Sequence, residues 1–249
     1  MLNTLKDIYS VLWADLRNLR HRWRSLIIVT LVQPLLYLVA FGYGLGQGVS
    51  FDGVSYLAFI IPGIIALTAF SNSFHGAAYK LQVDRFFYRS FDELLMSPVS
   101  EFSIVIGKAL IGVVRGLISA LAILTIGFIL MPSLTISPLF MLVLFVSCFV
   151  FAQFGVLVAF ALDSHQSMST FNNVVILPMT FLCGTFFSLS ALPEIAKGAL
   201  YFLPLTHSSQ CLRAAALSQP FPWLSFLALL GFGLAFFAGG IITLKKKSI

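Results

Sequence analysis

The side chains that could carry out chemistry in this chain form no familiar catalytic arrangement. Asp163, Ser164 and His165 are consecutive, so their side chains cannot converge as those of a hydrolytic triad do. Asp92 and Glu93 are adjacent and point in different directions, which makes them a poor acid/base pair. The histidines are scattered over different loops, and no pair has the spacing of metal ligands. These patterns do not support an intramembrane enzyme.

Nucleotide-binding motifs are also incomplete. A P-loop needs G-x-x-x-x-G-K-[ST], and the only Gly-Lys pair, Gly107 and Lys108, has Phe102 in the first glycine position and Ala109 after the lysine. The glycines within residues 42–48 do not reach the G-x-G-x-x-G spacing, and no strand precedes them. We therefore expect no cofactor on this chain and no ATP bound by such a motif.

The composition is that of a membrane protein. Hydrophobic residues make up 59% of the 249 residues and charged residues only 10%, which leaves too little polar surface for a water-soluble globule. A helix needs roughly 20 apolar residues to cross a hydrocarbon core of about 30 Å, and continuous apolar runs of that length favour helices. We predict an all-α polytopic membrane protein with six transmembrane helices. The predicted spans are residues 26–45, 54–74, 103–131, 139–162, 171–192 and 224–244.

Lysine and arginine are retained on the cytoplasmic side of membranes, and here most of them fall on one side of the six predicted spans. Both termini are therefore predicted to be cytoplasmic. Topology and contact with anionic membrane lipids explain the net charge of +6 better than nucleic-acid binding does. The cations placed in the cytoplasm are Lys6, Arg17, Arg20, Arg22, Arg24, Lys80, Arg85, Arg89, Lys245, Lys246 and Lys247, and those placed outside are Lys197 and Arg213.

Residues 1–25 are predicted to form an amphipathic helix in the cytoplasmic interface, ahead of a six-helix domain over residues 26–249. Apolar side chains between Leu2 and Trp23 recur at steps of three and four, which places them on one helical stripe. Such a helix can be a simple topogenic anchor, or an elbow that also helps to build a docking surface. The sequence alone leaves both interpretations open.

Residues 80–100 are the only long interruption between two apolar runs that carries charges of both signs. Asp92 and Glu93 stand before a short apolar cluster, residues 94–96, and Pro98 ends any helix that contains them. A short helix with acidic and apolar contacts is suited to binding another protein. A solvated connection between two spans is the alternative.

Three further features concern the interior and the external side. Arg115 is deep in the third span, where a charge costs on the order of 3 kcal/mol, so it should face protein or water; it could contact an anionic substrate group, or pair with Glu101 or a helix C-terminus. Residues 191–222 are broken into runs too short to cross, which predicts short re-entrant helices on the external side. No span has an interior Asp or Glu, which disfavours a proton-coupled carrier.

Four stretches form an ordered pattern along the chain. They are QPLLYLVAFGYGLG from Gln33, YLAFIIPGI from Tyr56, RSFDELLMSPVS from Arg89, and the tract of residues 177–207 that begins LPMTFLCG and ends LPLTH. In this order they resemble the permease subunit of type-2 ATP-binding-cassette exporters, in the group with nodulation-factor and drug-resistance exporter permeases. Arg213 stands where that family often has an arginine.

The resemblance implies a half-transporter that pairs with a second permease copy and with two soluble P-loop ATPase subunits, which would bind ATP and Mg²⁺. It implies that an amphipathic or lipid-linked substrate, such as a glycan, lipo-oligosaccharide or drug, moves outward across a bacterial inner membrane. The N-terminal helix and the loop after the second span would contact the ATPase. The docking residues implied in this way are Arg17, Arg22, Asp92, Glu93, Leu94, Leu95, Met96, Ser97 and Pro98.

In the family, substrate passes between the two permease copies along the first and fifth spans. The residues implied to line this path are Gln33, Tyr37, Arg115, Asn172 and Asn173. The polar side chains among them are equally suited to hydrogen bonds between helices. An ATP-independent channel or secondary carrier is the alternative function.

Overall fold

The structure is a computed structural model that describes residues 2–45, 50–51, 54–88, 90–132, 134–188 and 193–247, without some side chains, among them those of residues 21–26. The described chain is mostly helical, and its helices are joined by short turns and by two antiparallel two-residue strands, β1 (Ser50–Phe51) and β2 (Val54–Ser55). A π-helical segment, Leu38–Leu45, continues α1, and a second, Asn172–Ile176, joins α6 to α7. The α-helices are α1 (Leu2–Tyr37), α2 (Tyr56–Phe86), α3 (Ser90–Met96), α4 (Glu101–Leu130), α5 (Pro138–Ala161), α6 (His165–Phe171), α7 (Leu177–Leu182), α8 (Glu194–Tyr201), α9 (Pro204–Ala216) and α10 (Trp223–Lys247).

Serine N-caps begin three of the long helices. Ser55, Ser100 and Ser137 have extended backbones, and their hydroxyl oxygens accept a backbone N–H from the first turn of α2, α4 and α5. Each cap satisfies a donor that has no partner inside the helix. Short sequence signals therefore fix where these helices start.

α2 is the centre of the bundle and packs against α4, α5 and α9. Gly112 of α4 and Gly155 of α5 face its backbone directly. A Cβ on Gly112 would lie 2.6 Å from the Ser73 carbonyl oxygen, and one on Gly155 would lie 2.5 Å from the Phe74 carbonyl oxygen. Because apolar side chains gain little by leaving lipid for protein, close backbone approach at small residues is a main source of helix association in membranes.

The connections give the bundle two distinct ends. At the first, here named the α3 end, α3 joins α2 to α4, and Lys245 near the end of α10 lies 3.6 Å from Glu101. The opposite end, here named the hairpin end, holds β1, β2, α8 and α9. There Tyr56 Oη donates to the Phe186 carbonyl oxygen at 2.9 Å, and the Thr135 N–H donates to a carbonyl oxygen of α9 at 3.0 Å.

Four helices of the described residues, α2, α4, α5 and α10, are long and apolar enough to cross a membrane. The first predicted span, residues 26–45, corresponds to a shorter apolar stretch, Ile27–Gly42. The six-span count therefore stays a prediction. α2 continues to Phe86, beyond the predicted end at residue 74, because charged side chains in its last turns have partners on α1 and α4.

The region of the fifth predicted span, residues 171–192, differs from a single continuous helix. Helical structure starts at His165 and ends at Leu182, and residues 183–188 are not helical. Gly184 has φ 69°, a left-handed backbone that glycine adopts readily. The chain turns there, and α8 and α9 follow within the tract for which the sequence predicts short helices.

α1 has no break at residue 25, where the sequence analysis divides an interface helix from the transmembrane domain. It runs without interruption from Leu2 to Tyr37 and contains Pro34. The division at residue 25 stays a prediction. A continuous helix has a physical consequence, because movement of its first half is transmitted directly to its second half.

We expect Gly112→Ala and Gly155→Ala to lower the free energy of unfolding of the detergent-solubilised protein by about 1–3 kcal/mol, the usual cost of overpacking. Each added methyl would meet an α2 carbonyl oxygen that cannot move without disturbing the helix. Gly231→Ala is the matched control, since nothing lies within 4 Å of the added Cβ. Equal melting temperatures for all three variants would contradict the packing described here.

Candidate functional site

Four charged side chains meet inside the α3 end and are named here the ion-pair cluster: Asp15 of α1, Lys80 and Asp84 of α2, and Lys108 of α4. Lys108 Nζ lies 3.0 Å from Asp15 Oδ2 and 2.7 Å from Asp84 Oδ2. Lys80 Nζ lies 3.2 Å from Asp15 Oδ1 and 2.5 Å from Asp84 Oδ1. Each carboxylate therefore contacts both ammonium groups, and the four charges cancel.

Burial makes this arrangement obligatory. Asp15 and Asp84 are each 4% exposed and Lys108 is 8% exposed. Removing one ion from water costs several kcal/mol, and only well-placed opposite charges and hydrogen bonds recover that cost. Gly107 permits the geometry, because a Cβ there would lie 2.7 Å from Val11 Cγ1 and would push α1 away from α4. The ion-pair cluster thus ties α1, α2 and α4 together.

α3 is attached to the same end by one apolar anchor. Phe91 is buried, and its ring centroid lies 5.6 Å from that of Phe160 in α5. Asp92 and Glu93 are exposed in the first turn, and Met96 at the end is 90% exposed. A short helix with one fully buried side chain therefore presents two carboxylates and an apolar tip to the surroundings.

The other residues predicted for docking differ in their placement. Leu94 and Leu95 are half-buried and pack against the core. Ser97 Oγ donates to the Leu94 carbonyl oxygen at 2.6 Å and closes the helix, while Pro98 is exposed. Arg17 is exposed on α1. The side chain of Arg22 lies outside the described residues.

Arg85, near the end of α2, holds the end of α5. Its guanidinium donates to the Ala159 carbonyl oxygen and, at 3.3 Å, to the Leu162 carbonyl oxygen. It also lies 3.8 Å from Asp163 Oδ1. The last carbonyls of a helix have no intrahelical partner and carry partial negative charge, so a cation stabilises them. Arg85 therefore has a structural role besides the topological role predicted from the sequence.

A polar cleft of about 200 Å³ opens between α1 and α2, halfway along the bundle. α1 packs mainly against α4, which leaves this gap beside α2. The residues on each wall recur at steps of three and four, so each wall is one helical face. The lining residues are Val29, Thr30, Gln33, Pro34 and Tyr37 from α1, and Leu67, Thr68, Ser71, Asn72 and His75 from α2.

Three of the residues predicted to line a path come together at this polar cleft. Gln33 and Tyr37 are on its α1 wall, where Gln33 Nε2 donates to Tyr37 Oη at 2.8 Å. Asn172 Oδ1 accepts from Nε2 of His75, a lining residue, at 2.9 Å. Asn172 is also the first residue of the second π-helical segment. Such segments occur often at functional sites.

Arg115 and Asn173, the other two predicted path residues, are not among the residues that line the polar cleft. Arg115 is half-buried on α4. Its aliphatic stem packs against Gly76, since a Cβ added there would lie 3.0 Å from Arg115 Cδ. Within the described part of the chain, its guanidinium forms no hydrogen bond or ion pair. Asn173 is exposed.

Arg213 of α9 holds the hairpin end together. It is 8% exposed; its Nε donates to the Phe59 carbonyl oxygen at 3.1 Å and its Nη2 to the Gly184 carbonyl oxygen at 2.9 Å. The guanidinium also lies over the Phe59 ring, 3.7 Å from its centroid. Arg213 therefore provides a hydrogen-bond donor for a carbonyl oxygen at the point where the chain leaves α7. Gly63 of α2 approaches Thr185 closely beside this contact.

Comparison with known proteins shows the family to which this chain belongs. Residues 6–217 match the sequence profile of ABC-2 type transporters. The chain belongs to the ABC-2 type transporter family. It is 30% identical over 205 residues to the inner membrane transport permease YadH of Escherichia coli (strain K12), a match that covers 78% of this chain and 80% of that protein. It is 29% identical over 196 residues to Nodulation protein J of Rhizobium leguminosarum bv. viciae, with 78% of this chain and 76% of that protein covered.

Membership of the ABC-2 type transporter family confirms the resemblance drawn from the four sequence stretches. It does not give a role to the ion-pair cluster. The sequence analysis placed Lys80 in the cytoplasm by topology, considered Lys108 only against the P-loop pattern, and did not single out Asp15. Lys80 and Asp84 are four residues apart in one helix, a spacing that pairs opposite charges, and this signal was available. The contact of Asp15 with Lys108 joins residues 93 positions apart, for which no local pattern exists.

We expect Lys108→Met to lower the free energy of unfolding by about 3–5 kcal/mol, because it leaves two buried carboxylates to share one lysine. Lys245→Met makes the same chemical change in the exposed pair with Glu101 and should cost only about 0–1 kcal/mol. Denaturation of both variants in the same detergent provides the comparison. Similar losses for the two lysines would show that the ion-pair cluster is not a buried structural element.

Proposed function

We propose that this chain is the permease subunit of an exporter, driven by ATP hydrolysis on two separate soluble P-loop ATPase subunits. In this proposal it resides in a bacterial inner membrane with both termini, and therefore the α3 end, in the cytoplasm. The substrate is an amphipathic or lipid-linked molecule that moves outward. Membership of the ABC-2 type transporter family and the exposed helix α3, joined to the ion-pair cluster, carry the proposal.

The chemistry of α3 supports a protein contact at this end. Met96 would bury most of its surface against an apolar pocket, while Asp92 and Glu93 would pair with cations of the ATPase subunit. Leu94 and Leu95 face the core and connect the docked helix to the bundle. In this arrangement α3 is a coupling helix, since a force on its outer face reaches the core through its inner face.

The ion-pair cluster provides a route from the ATPase contact into the membrane. α3 follows α2 after a short connection. The cluster links the end of α2 to α1 and α4 by direct ion pairs rather than through solvent. Arg17 lies two residues beyond Asp15 on the exposed side of α1. Nucleotide binding would then shift the permease between two arrangements by favouring one of them.

The position of Gln33 supports a second permease copy. Gln33 is exposed on α1 within the apolar stretch Ile27–Gly42, beside exposed Val29 and Val32. An amide that faces hydrocarbon leaves its hydrogen-bonding groups unsatisfied, so such residues face protein or a water-filled cavity. In a homodimer, this face of α1 would meet the partner copy, and the polar cleft would open onto a path between the two copies.

The proposal predicts that Glu93→Arg with Met96→Asp abolishes recovery of the cognate soluble ATPase with the tagged permease, together with ATP-dependent transport in proteoliposomes. The double change reverses one charge and removes the apolar tip while leaving Phe91, Leu94 and Leu95 to hold α3. The measurement is co-purification followed by substrate efflux from the same preparation.

Ile195→Asp is the control for this experiment, because Ile195 is also 90% exposed but lies on α8 at the hairpin end. It should leave both ATPase recovery and transport unchanged. Normal recovery and transport in the Glu93→Arg, Met96→Asp variant would refute the assigned docking role of α3. Solute movement by the purified permease without any ATPase subunit would refute the ATP-driven mechanism and favour a channel or carrier.

A further inference from the structure

The polar cleft has an unusual lining for a cavity at the middle of a transmembrane bundle. Half of its wall is made of amide, hydroxyl and imidazole side chains, yet none of the described lining residues is Asp, Glu, Lys or Arg. A site built this way can form many hydrogen bonds. It offers no fixed counter-charge to an ion.

The hydrogen-bonding groups of the polar cleft are only partly used within the protein. Gln33 Nε2 donates to Tyr37 Oη, and Asn72 Nδ2 donates to the Thr68 carbonyl oxygen at 3.1 Å. The opposite ends of both amides, Gln33 Oε1 and Asn72 Oδ1, have no partner within the described part of the chain. Each amide is therefore oriented by one bond and has an acceptor left for a ligand.

His75 adds rigidity to one edge of the polar cleft. Its Nε2 donates to Asn172 Oδ1, and its ring stacks on Tyr79 with centroids 5.3 Å apart. The two contacts fix the plane of the imidazole and link the α2 wall to the second π-helical segment. This edge of the polar cleft is therefore ordered before any ligand binds, which lowers the entropy cost of binding.

The end of the polar cleft toward the hairpin end is aromatic. The ring centroid of Tyr37 lies 5.2 Å from that of Phe186 and 6.1 Å from that of Phe181, and Phe41 lies 4.5 Å from Phe186. Tyr37 thus belongs both to the polar lining and to this aromatic group. A ligand here would meet hydrogen-bonding groups at one level and apolar ring surface at the next.

We propose that the polar cleft binds the uncharged head group of an amphipathic ligand, a group with several hydroxyl or amide functions, through Gln33 and Asn72, beside the fixed imidazole of His75. The assignment deepens the proposed function and rests on it, since it names the substrate class of the exporter. The apolar part of the ligand lies against the aromatic group and the exposed apolar face of α1.

The charge distribution explains why an uncharged head group is favoured. Placing an anion or cation in a cavity without a counter-ion leaves it desolvated and unpaired, which is strongly unfavourable. Arg115 is the cationic residue that the sequence analysis proposed for the path, but it is not a lining residue and its stem packs against Gly76. The carboxylates of the ion-pair cluster are already paired.

The test uses the assembled permease–ATPase complex in lipid nanodiscs without nucleotide. Three tritiated probes with the same dodecyl chain differ only in the head group: dodecyl maltoside, dodecyl phosphate and dodecyltrimethylammonium. Saturable binding is measured after subtraction of partitioning into empty nanodiscs. We expect dodecyl maltoside to bind at least about tenfold more tightly than either charged probe, since an unpaired buried ion costs more than the 1.4 kcal/mol which that factor represents.

Gln33→Leu and Asn72→Leu should each weaken maltoside binding about fivefold, the effect of one lost hydrogen bond. Thr125→Leu is the matched control, because Thr125 is exposed on α4 and its hydroxyl bonds only to its own helix; it should bind the probe as the unchanged protein does. Equal or tighter binding of a charged probe would overturn the proposal, as would unchanged affinity in both cleft variants.

A parallel measurement of ATP-driven transport separates this inference from the proposed function. Selective maltoside binding in a complex that hydrolyses ATP and exports an uncharged amphiphile supports both. Loss of ATP dependence with selective binding preserved would refute the exporter and not the polar cleft. ATP-driven export of a charged amphiphile that neither cleft variant affects would refute the polar cleft and leave the exporter standing.

Discussion

Two buried carboxylates cannot remain unpaired in an apolar interior, and this constraint determines how the α3 end is built. Asp15 and Asp84 come from different helices, and both must reach Lys80 and Lys108 at once. The contact therefore fixes the register of α1 against α2 and α4, and it requires a glycine at position 107 so that α1 can approach. Separating one charged side chain from the other three would leave a buried charge unpaired, which costs far more free energy than moving all four side chains together. We therefore expect α1, α2 and α4 to move as one body.

The hairpin end and the middle of the bundle follow from different physics. Arg213 replaces water as the partner of carbonyls at the break after α7, while glycines 112 and 155 bring α4 and α5 against the α2 backbone. Between these two closely packed regions, α1 leaves α2 and the polar cleft opens. The result is a side-facing polar surface on a rigid support.

The sequence predicted the parts of this structure that local patterns encode. Apolar runs predicted the long helices, and two acidic residues with Pro98 predicted α3. The ion-pair cluster depends on a contact over 93 residues and His75 pairs with Asn172 over 97 residues, so neither has a local signature. The turn at Gly184 and the two π-helical segments were also missed, since they depend on tertiary packing. Gln33, Tyr37 and Asn172 were named through the family resemblance, while Asn72 and His75 became candidates only when the polar cleft was seen.

The central claim, that the ion-pair cluster makes α1 and α4 one moving body, is tested most directly by a distance measurement in the assembled complex. Spin labels at Ala14→Cys on α1 and Phe102→Cys on α4 occupy exposed positions, and the native cysteines are buried. Pulsed electron resonance would compare the nucleotide-free complex with the ADP–vanadate state. The account predicts one narrow distance distribution that is the same in both states and that broadens in Lys108→Met. A shift between the two states larger than the width of the distribution would contradict it.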